Sequence, residues 1–145
     1  MQVVVFKLND QEFAFHIQSV KEIIKITAIT HVPNAQPSVQ GIINLRGMVT
    51  PIINLAEKFG FKEKPLTEHS RIIILNRFES TVGVIVDSVT EVLMFKDEDI
   101  LAPGDEPLVV EKFIYGIGML GDRLLILLKP EEILSGNELQ KGETQ

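Results

Sequence analysis

An internal repeat limits the fold of this chain more than any other feature of its sequence. The segment Ser19–Ile24, SVKEII, recurs 69 positions later as Ser88–Leu93, SVTEVL. The segment Gly41–Gly47, GIINLRG, has a counterpart 75 positions later in Gly116–Asp122, GIGMLGD. Several blocks that recur in the same order indicate a duplicated unit rather than a chance likeness between strands. The larger second offset predicts an insertion of about six residues in the second copy, which we assign to Pro103–Pro107.

Most of the sequence is typical of short β-strands. Segments rich in Val, Ile, Leu and Phe alternate with turn residues such as Asn9-Asp10 and Gly121-Asp122. Helical turns are predicted at Leu55–Phe59 and Pro130–Leu134, where acidic residues suit a first turn. The predicted strands are Val3–Leu8, Glu12–Ile17, Ile23–Ile26, Val39–Leu45, Met48–Leu55, Arg71–Asn76, Thr81–Val86, Val89–Phe95, Phe113–Met119 and Arg123–Leu128.

Short, closely spaced strands in a duplicated chain favour two small barrels over a parallel α/β sheet. We therefore predict a single all-β domain over residues 1–145, made of two five-stranded barrel lobes with short helical turns and a short C-terminal helix. Lobe one is predicted at roughly 9–60, lobe two at roughly 1–8 plus 66–130, and a frayed tail at 136–145. Lobes this small would be marginally stable alone, so we expect them to share a core.

The charge and composition exclude several classes of partner. A net charge of −6 and a pI near 5.1 argue against binding to nucleic acid or to an anionic membrane surface. No apolar run approaches the roughly 18 residues of a membrane span, and the first residues do not resemble a secretory signal. With no cysteine, the chain lacks disulfides and thiolate ligands. These features predict a cytoplasmic protein without direct membrane insertion.

The sequence presents no set of residues that indicates catalysis, a cofactor or a metal. Gly116–Gly121 matches the pattern GxGxxG, but a strand rather than a helix is predicted after it, so a nucleotide site is not expected. His16, His31 and His69 have no partner at a ligand spacing. No serine, threonine or lysine stands in a nucleophile context. We therefore predict neither an enzyme nor a metalloprotein.

Two features of the repeat leave alternatives open. Ser19 and Glu22, like Ser88 and Glu91, have the spacing of a helix capping box, which competes with a functional role for the glutamates. Arg46 stands in a hairpin turn whose counterpart in the second copy has no arginine, so the turn itself does not require it. Its guanidinium suits a carboxylate on another element or another chain, and the alternative is a solvated surface arginine.

The chain resembles the CheW-like domain family of bacterial chemotaxis over nearly its whole length. The matching segments are Val20–Ile23 with the pattern VxEI, Pro33, Gly41–Gly47, Pro51–Leu55, Gly83–Val89 and Gly116–Leu127. The resemblance implies a pair of SH3-like barrels and a non-catalytic adaptor. Such adaptors couple the cytoplasmic tips of chemoreceptors (methyl-accepting chemotaxis proteins) to the histidine kinase CheA in receptor arrays. The chain has no room for the additional modules of larger relatives, so it looks like a free-standing adaptor.

The resemblance also implies two contact surfaces. A groove between the lobes is expected to bind the receptor through Val20, Glu22, Ile23, Arg46, Val89 and Val92. A face of lobe one is expected to bind the CheW-like domain of CheA through Gly41, Asn44 and Gly47. We further expect Glu22 and Arg46 to pair across neighbouring strands, with the arginine also meeting a polar group of the receptor.

Two other classes of function are weighed against the adaptor. A small enzyme or ligand-binding domain would place a buried polar cluster with perturbed ionisation in the cleft between the lobes. A nucleic-acid-binding barrel would need a basic face with stacking aromatic residues. The net negative charge, the single tyrosine and the absence of tryptophan count against the latter.

Overall fold

The structure is a computed structural model that describes residues 1–101 and 111–134. Each predicted strand is present, and a short strand, β9, is added to them. Two helices of one turn follow strands: α1 (Leu55–Lys58) and α2 (Pro130–Ile133). The proposed insertion at Pro103–Pro107 and the predicted frayed tail lie outside the described residues. The strands are β1 (Gln2–Leu8), β2 (Gln11–His16), β3 (Val20–Lys25), β4 (Val39–Leu45), β5 (Met48–Asn54), β6 (Arg71–Arg77), β7 (Ser80–Val86), β8 (Ser88–Met94), β9 (Ile100–Leu101), β10 (Ile114–Leu120) and β11 (Arg123–Leu128).

The strands form two sheets, which confirms the all-β class. The six-stranded sheet has the order β8-β1-β2-β11-β10-β9, and the five-stranded sheet has the order β3-β6-β7-β5-β4. Neighbouring strands are antiparallel except for β2 with β11 and β5 with β7, which run parallel. Within the described ranges no ladder joins the two end strands of either sheet, so the closure of each predicted barrel is not seen.

The two copies of the repeat exchange their first hairpins. The β1–β2 hairpin of the first copy lies between β8 and β11 of the second. The β6–β7 hairpin of the second copy lies between β3 and β5 of the first. The division into lobes at roughly 9–60 and roughly 1–8 plus 66–130 stays a prediction: β1 pairs with β8 as that division has it, whereas β2 pairs with β11 and β7 with β5 across it. Sequence likeness shows which segments are equivalent, whereas the backbone hydrogen bonds decide which segments pair, and here they pair across the copies.

Strand register follows the repeat closely. In β4, Val39 pairs with Ile53 and Gly41 pairs with Ile52, which leaves a bulge at the intervening residue. In β10, the equivalent residues Ile114 and Gly116 pair with Leu128 and Leu127, with the same shift in register. A second bulge recurs where β3 meets β6 and where β8 meets β1. Bulges at matching positions are features of a duplicated unit.

Alternation of side chains along the strands builds the core in layers. A central cluster packs the two sheets together and includes Phe6, Phe13 and Leu75. On the opposite face of the six-stranded sheet a second cluster includes Val5 and Leu125. The opposite face of the five-stranded sheet carries an isoleucine-rich cluster, Ile43, Ile52, Ile72, Ile74 and Ile85. The central cluster is the shared core that the small size of each half requires. None of the helices in the described ranges is long and apolar enough to cross a bilayer.

Candidate interaction site

Arg46 and Glu22 form an ion pair that joins the two end strands of the five-stranded sheet. Arg46 lies in the turn between β4 and β5 with a φ of 51°, and its Nη2 donates a hydrogen bond to Oε2 of Glu22 on β3. The predicted pairing is therefore confirmed. However, β3 and β4 are at opposite ends of the sheet and not neighbours, so the contact shows that the sheet curls until its ends approach each other.

This ion pair is open to solvent on the arginine side. The hydrogen bond from Arg46 lowers the pKa of the Glu22 carboxyl below its ordinary value, and Glu22 in turn raises the pKa of Arg46. The Arg46 side chain is 66% exposed, whereas that of Glu22 is 25% exposed. Because a guanidinium carries five donors, Arg46 can bind Glu22 and still donate to a partner molecule.

The turn that holds Arg46 is built by its neighbours Asn44 and Gly47. Oδ1 of Asn44 accepts a hydrogen bond of 2.7 Å from the backbone N–H of Gly47. Gly47 has a φ of 87°, which glycine adopts at little cost. Both residues are exposed, as the predicted kinase contact requires.

Gly41, the third residue predicted at the kinase contact, is buried. A β-carbon at this position would lie 2.2 Å from the carbonyl oxygen of Thr30, so only glycine permits the close approach of these two backbones. Thr30 and Ile42 form a β-bridge beside it. The structure therefore gives Gly41 a packing role and places it away from the surface.

The four apolar residues predicted at the receptor contact fall into two groups. Val20 and Val89 are partly buried and pack against the central cluster. Ile23 on β3 and Val92 on β8 are 40% and 50% exposed. Each pair is equivalent across the repeat, 69 positions apart. Ile23 and Val92 are therefore the more exposed members of this set, while Val20 and Val89 are only partly exposed and pack against the core.

Sequence reasoning did not single out a second ion-pair cluster. Arg123 on β11 donates from Nη2 to Oε1 of Glu12 and to Oε2 of Glu91, both at 2.7 Å. The capping-box interpretation of the two Ser–Glu pairs is wrong, because Glu22 and Glu91 both lie within strands. The repeat makes Glu22 and Glu91 equivalent, so an arginine partner for Glu91 could have been predicted from the partner of Glu22.

Hydrogen bonds from arginine lower the pKa of two glutamates on these surfaces. The lowered pKa values of Glu12 and Glu22 come chiefly from hydrogen bonds donated by Arg123 and Arg46, and desolvation acts in the opposite direction. Gly121 lies in the tight β10–β11 turn with a φ of 62°, so the GxGxxG segment is a hairpin, as the sequence predicts. Among the residues that the structure describes, no group of three or more His, Asp or Glu could hold a metal ion.

Two curled sheets around a shared core, each bridged by an arginine–glutamate ion pair, define the chain as an all-β module. Comparison with known proteins shows which family the chain belongs to. The CheW-like domain matches residues 2–138. The chain belongs to the CheW-like domain family.

The chain is similar to chemotaxis proteins named CheW from several bacteria. The chain is 34% identical over 139 residues to a chemotaxis protein CheW of Klebsiella aerogenes, covering 95% of this chain and 84% of that protein. It is also 34% identical over 134 residues to a chemotaxis protein CheW of Helicobacter pylori, covering 92% and 81% respectively. The crystal structure of the scaffolding protein TtCheW from Thermoanaerobacter tengcongensis superposes with a TM-score of 0.86 at 32% identity, covering 94% of this chain and 89% of that chain. These matches support a coupling or scaffold protein of chemotaxis.

Proposed function

We propose that the chain is a non-catalytic adaptor that couples the cytoplasmic tips of chemoreceptors to the histidine kinase CheA. It would act in the cytoplasm, at the membrane-associated arrays of those receptors, and control the activity of the kinase. Membership in the CheW-like family supports this proposal, as does the likeness to a scaffolding protein. The observation that carries it is the pair Ile23 and Val92, which expose apolar side chains at equivalent positions of two end strands.

Ile23 and Val92 suit a helical receptor tip. Both pair with buried residues: Ile23 pairs with Ile73 of the central cluster, and Val92 pairs with Val4. An amphipathic helix binds by placing its apolar face against exposed apolar side chains, and polar contacts at the rim orient it. The exposed guanidinium of Arg46, held by Glu22, supplies such a polar contact.

The kinase contact is proposed at the tip of the β4–β5 hairpin. Asn44 and Gly47 are exposed there, and Val49 lies directly opposite Asn44 in the ladder with 63% of its surface exposed. This surface would bind the CheW-like domain of CheA. Gly41 contributes by holding the hairpin against Thr30.

Co-sedimentation with receptor-tip fragments, with and without CheA, tests both contacts. Ile23→Asp and Val92→Asp should reduce sedimentation with the receptor and leave binding to the kinase domain intact. Val49→Asp should do the reverse, because it alters the hairpin surface without removing the Asn44–Gly47 hydrogen bond. Leu66→Asp is the matched control, since Leu66 is a 52% exposed apolar residue outside both surfaces. Wild-type protein that sediments with neither partner would show that the proposal is wrong.

A further inference from the structure

Arg123 ties together three strands of the six-stranded sheet. Its Nη2 donates to Glu91 on β8 and to Glu12 on β2, each at 2.7 Å, and its Nε donates to Glu12 at 3.2 Å. The two contacts to Glu12 form the bidentate arrangement that makes Arg–carboxylate pairs directional. The side chains of all three residues are between 22% and 39% exposed, so the cluster is partly shielded from solvent.

The contact between Arg123 and Glu91 spans the sheet. Strand β8 is separated from β11 by β1 and β2. In a flat sheet, three steps between strands amount to roughly 14 Å. Because side chains stand nearly perpendicular to a sheet, residues on strands so far apart meet only where the sheet curls. The contact between Arg123 and Glu91 therefore bridges β11 and the end strand β8 across the curl of this sheet.

Strand β8 depends on such a contact more than an inner strand does. It is an end strand, and the described ladders pair it with β1 alone. Its register against β1 is interrupted by a bulge between Val5 and Phe6, just where Glu91 pairs with Val5. Val92, the exposed apolar residue next in the chain, extends from the same part of the strand.

The five-stranded sheet has different side chains at the equivalent positions. Met48 occupies the position equivalent to Arg123, and Thr81 the position equivalent to Glu12. There the hydroxyls of Thr50 and Thr81 form a buried hydrogen bond of 3.0 Å, and Glu22 is bound by Arg46 from the hairpin turn. The arginine of the six-stranded sheet is thus a feature of one copy and is not required by the repeated fold.

We propose that Arg123 is a positioning residue that fixes β8, and with it Val92, for contact with the receptor tip. This inference rests on the proposed receptor contact. Arg123 would act through Glu91 and not by touching the receptor. The kinase contact lies on the β4–β5 hairpin of the other sheet, so it should not depend on Arg123.

The test combines amide hydrogen exchange with binding in the full chain. In Arg123→Gln, backbone amides of β8 should exchange faster than in the wild type, and those of β3 should not change. Arg46→Gln is the matched control and should have the opposite pattern, because Arg46 holds Glu22 on β3. Arg123→Gln should weaken receptor-tip binding by about fivefold or more while kinase-domain binding is retained. Arg123→Lys should recover part of the loss, since it keeps the charge without the fork of donors.

A double variant separates positioning from general damage. If Arg123 acts through β8, then Arg123→Gln should cost less receptor affinity in a Val92→Ala background than in the wild type. Additive losses, equal loss of kinase binding, or unchanged exchange in β8 would each overturn the proposal. The exchange measurement needs no partner. If the wild type binds no receptor tip, the proposed function is wrong. Amide hydrogen exchange in β8 would still show whether Arg123 stabilises that strand.

Discussion

Glu22 and Glu91 occupy the same position in the two copies of the repeat, and each accepts a hydrogen bond from an arginine that the other copy lacks. The position equivalent to Arg46 is Gly121, and the position equivalent to Arg123 is Met48. The same position of the repeat is thus bound in two ways. Glu22 is bound by Arg46 from an exposed turn, and Glu91 is bound by Arg123 from a strand of the sheet. The exposed arrangement suits recognition, whereas the shielded one suits positioning.

Arg46→Ala is expected to weaken receptor binding with little change in stability. The ion pair with Glu22 is exposed to solvent, and exposed pairs of this kind contribute little to folding. The melting temperature measured by circular dichroism should therefore stay close to that of the wild type, while co-sedimentation with receptor tips falls. Arg77→Ala, an arginine on the other hairpin of the same sheet, is the control. Equal receptor binding by Arg46→Ala and wild type would remove Arg46 from the site.

Gly41→Ala should destabilise the fold much more than Gly47→Ala. The added β-carbon at Gly41 would meet the Thr30 carbonyl oxygen at 2.2 Å, so the backbone must move, at a cost of about 2 kcal/mol or more. At Gly47 the β-carbon would meet nothing within 4 Å, and only the left-handed φ opposes it, at a cost of about 1 kcal/mol. Urea denaturation of both variants checks the order. Similar free energies of unfolding for the two would contradict it.

Thr50 and Thr81 should show strong coupling in a double-mutant cycle. Their hydroxyls share a hydrogen bond of 3.0 Å, and both residues are buried. Removing one hydroxyl, as in Thr81→Val, leaves a buried polar group without this partner and should lower the free energy of unfolding by about 1–3 kcal/mol. The double variant Thr50→Val, Thr81→Val should lose less than the sum of the single changes. Simple additivity in urea denaturation would show that the two hydroxyls do not act together.

Stability should decline in acid partly through Glu12. The hydrogen bond from Arg123 lowers the pKa of Glu12 in the folded chain, and the nearby charges of Arg123 and Lys7 act in the same direction. A carboxyl with a lowered folded pKa stabilises the fold fully above its unfolded value, about 4.3. That contribution is lost as the pH falls through the folded pKa. Thermal unfolding of Glu12→Gln should therefore depend less on pH below about 5 than the wild type.

The comparison for Glu12 is Glu79→Gln, in an exposed hairpin turn of the other sheet. This variant should follow the wild-type pH curve. Parallel curves for Glu12→Gln and wild type would mean that Arg123 does not favour the charged form of Glu12.

Phe78→Asn should stabilise the protein. Phe78 lies in the β6–β7 turn with a φ of 52° and is fully exposed. The equivalent residue of the first copy is Asn9, with a φ of 55°. Asparagine tolerates the left-handed region better than a bulky side chain, so the change should raise the free energy of unfolding by about 0.5–1 kcal/mol. The reverse change, Asn9→Phe, should lower it. No difference in melting temperature for either variant would contradict this reading of the turns.

The strands and the duplication follow from local sequence, because apolar periodicity and turn residues act over a few positions. The repeat also identified the equivalence of Val20 with Val89 and of Ile23 with Val92. The Glu22–Arg46 contact could be anticipated because an arginine stood in a turn that did not need one. All of these depend on the type of residue and its neighbours in the chain.

The exchange of hairpins could not be predicted in the same way. Two nearly equivalent hairpins, β1–β2 and β6–β7, present similar apolar faces, and local pattern does not decide which end strand each one accepts. The same limit applies to burial. Val20 and Ile23 look alike as strand residues, and the bulge after Val20 sets both opposite members of the central cluster, Leu75 and Ile73, yet only Val20 packs against that cluster while Ile23 stays 40% exposed. Arg123 was missed because its two partners lie on strands that are distant in sequence.

The hairpin exchange has a consequence for synthesis on the ribosome. β1 and β2 emerge first, but their neighbours β8 and β11 are translated only after most of the chain has been made. The five-stranded sheet can assemble once β7 has left the exit tunnel, whereas Val5 and Ala14 on the first hairpin still lack Leu125 and Leu127, with which they pack. Non-local pairing of this kind slows folding and leaves hydrophobic surface exposed until the later strands are made. A nascent chain stalled when β7 has left the tunnel and β8 has not should therefore hold a complete five-stranded sheet and an unpaired β1–β2 hairpin, and at that stage it should expose most surface to a chaperone.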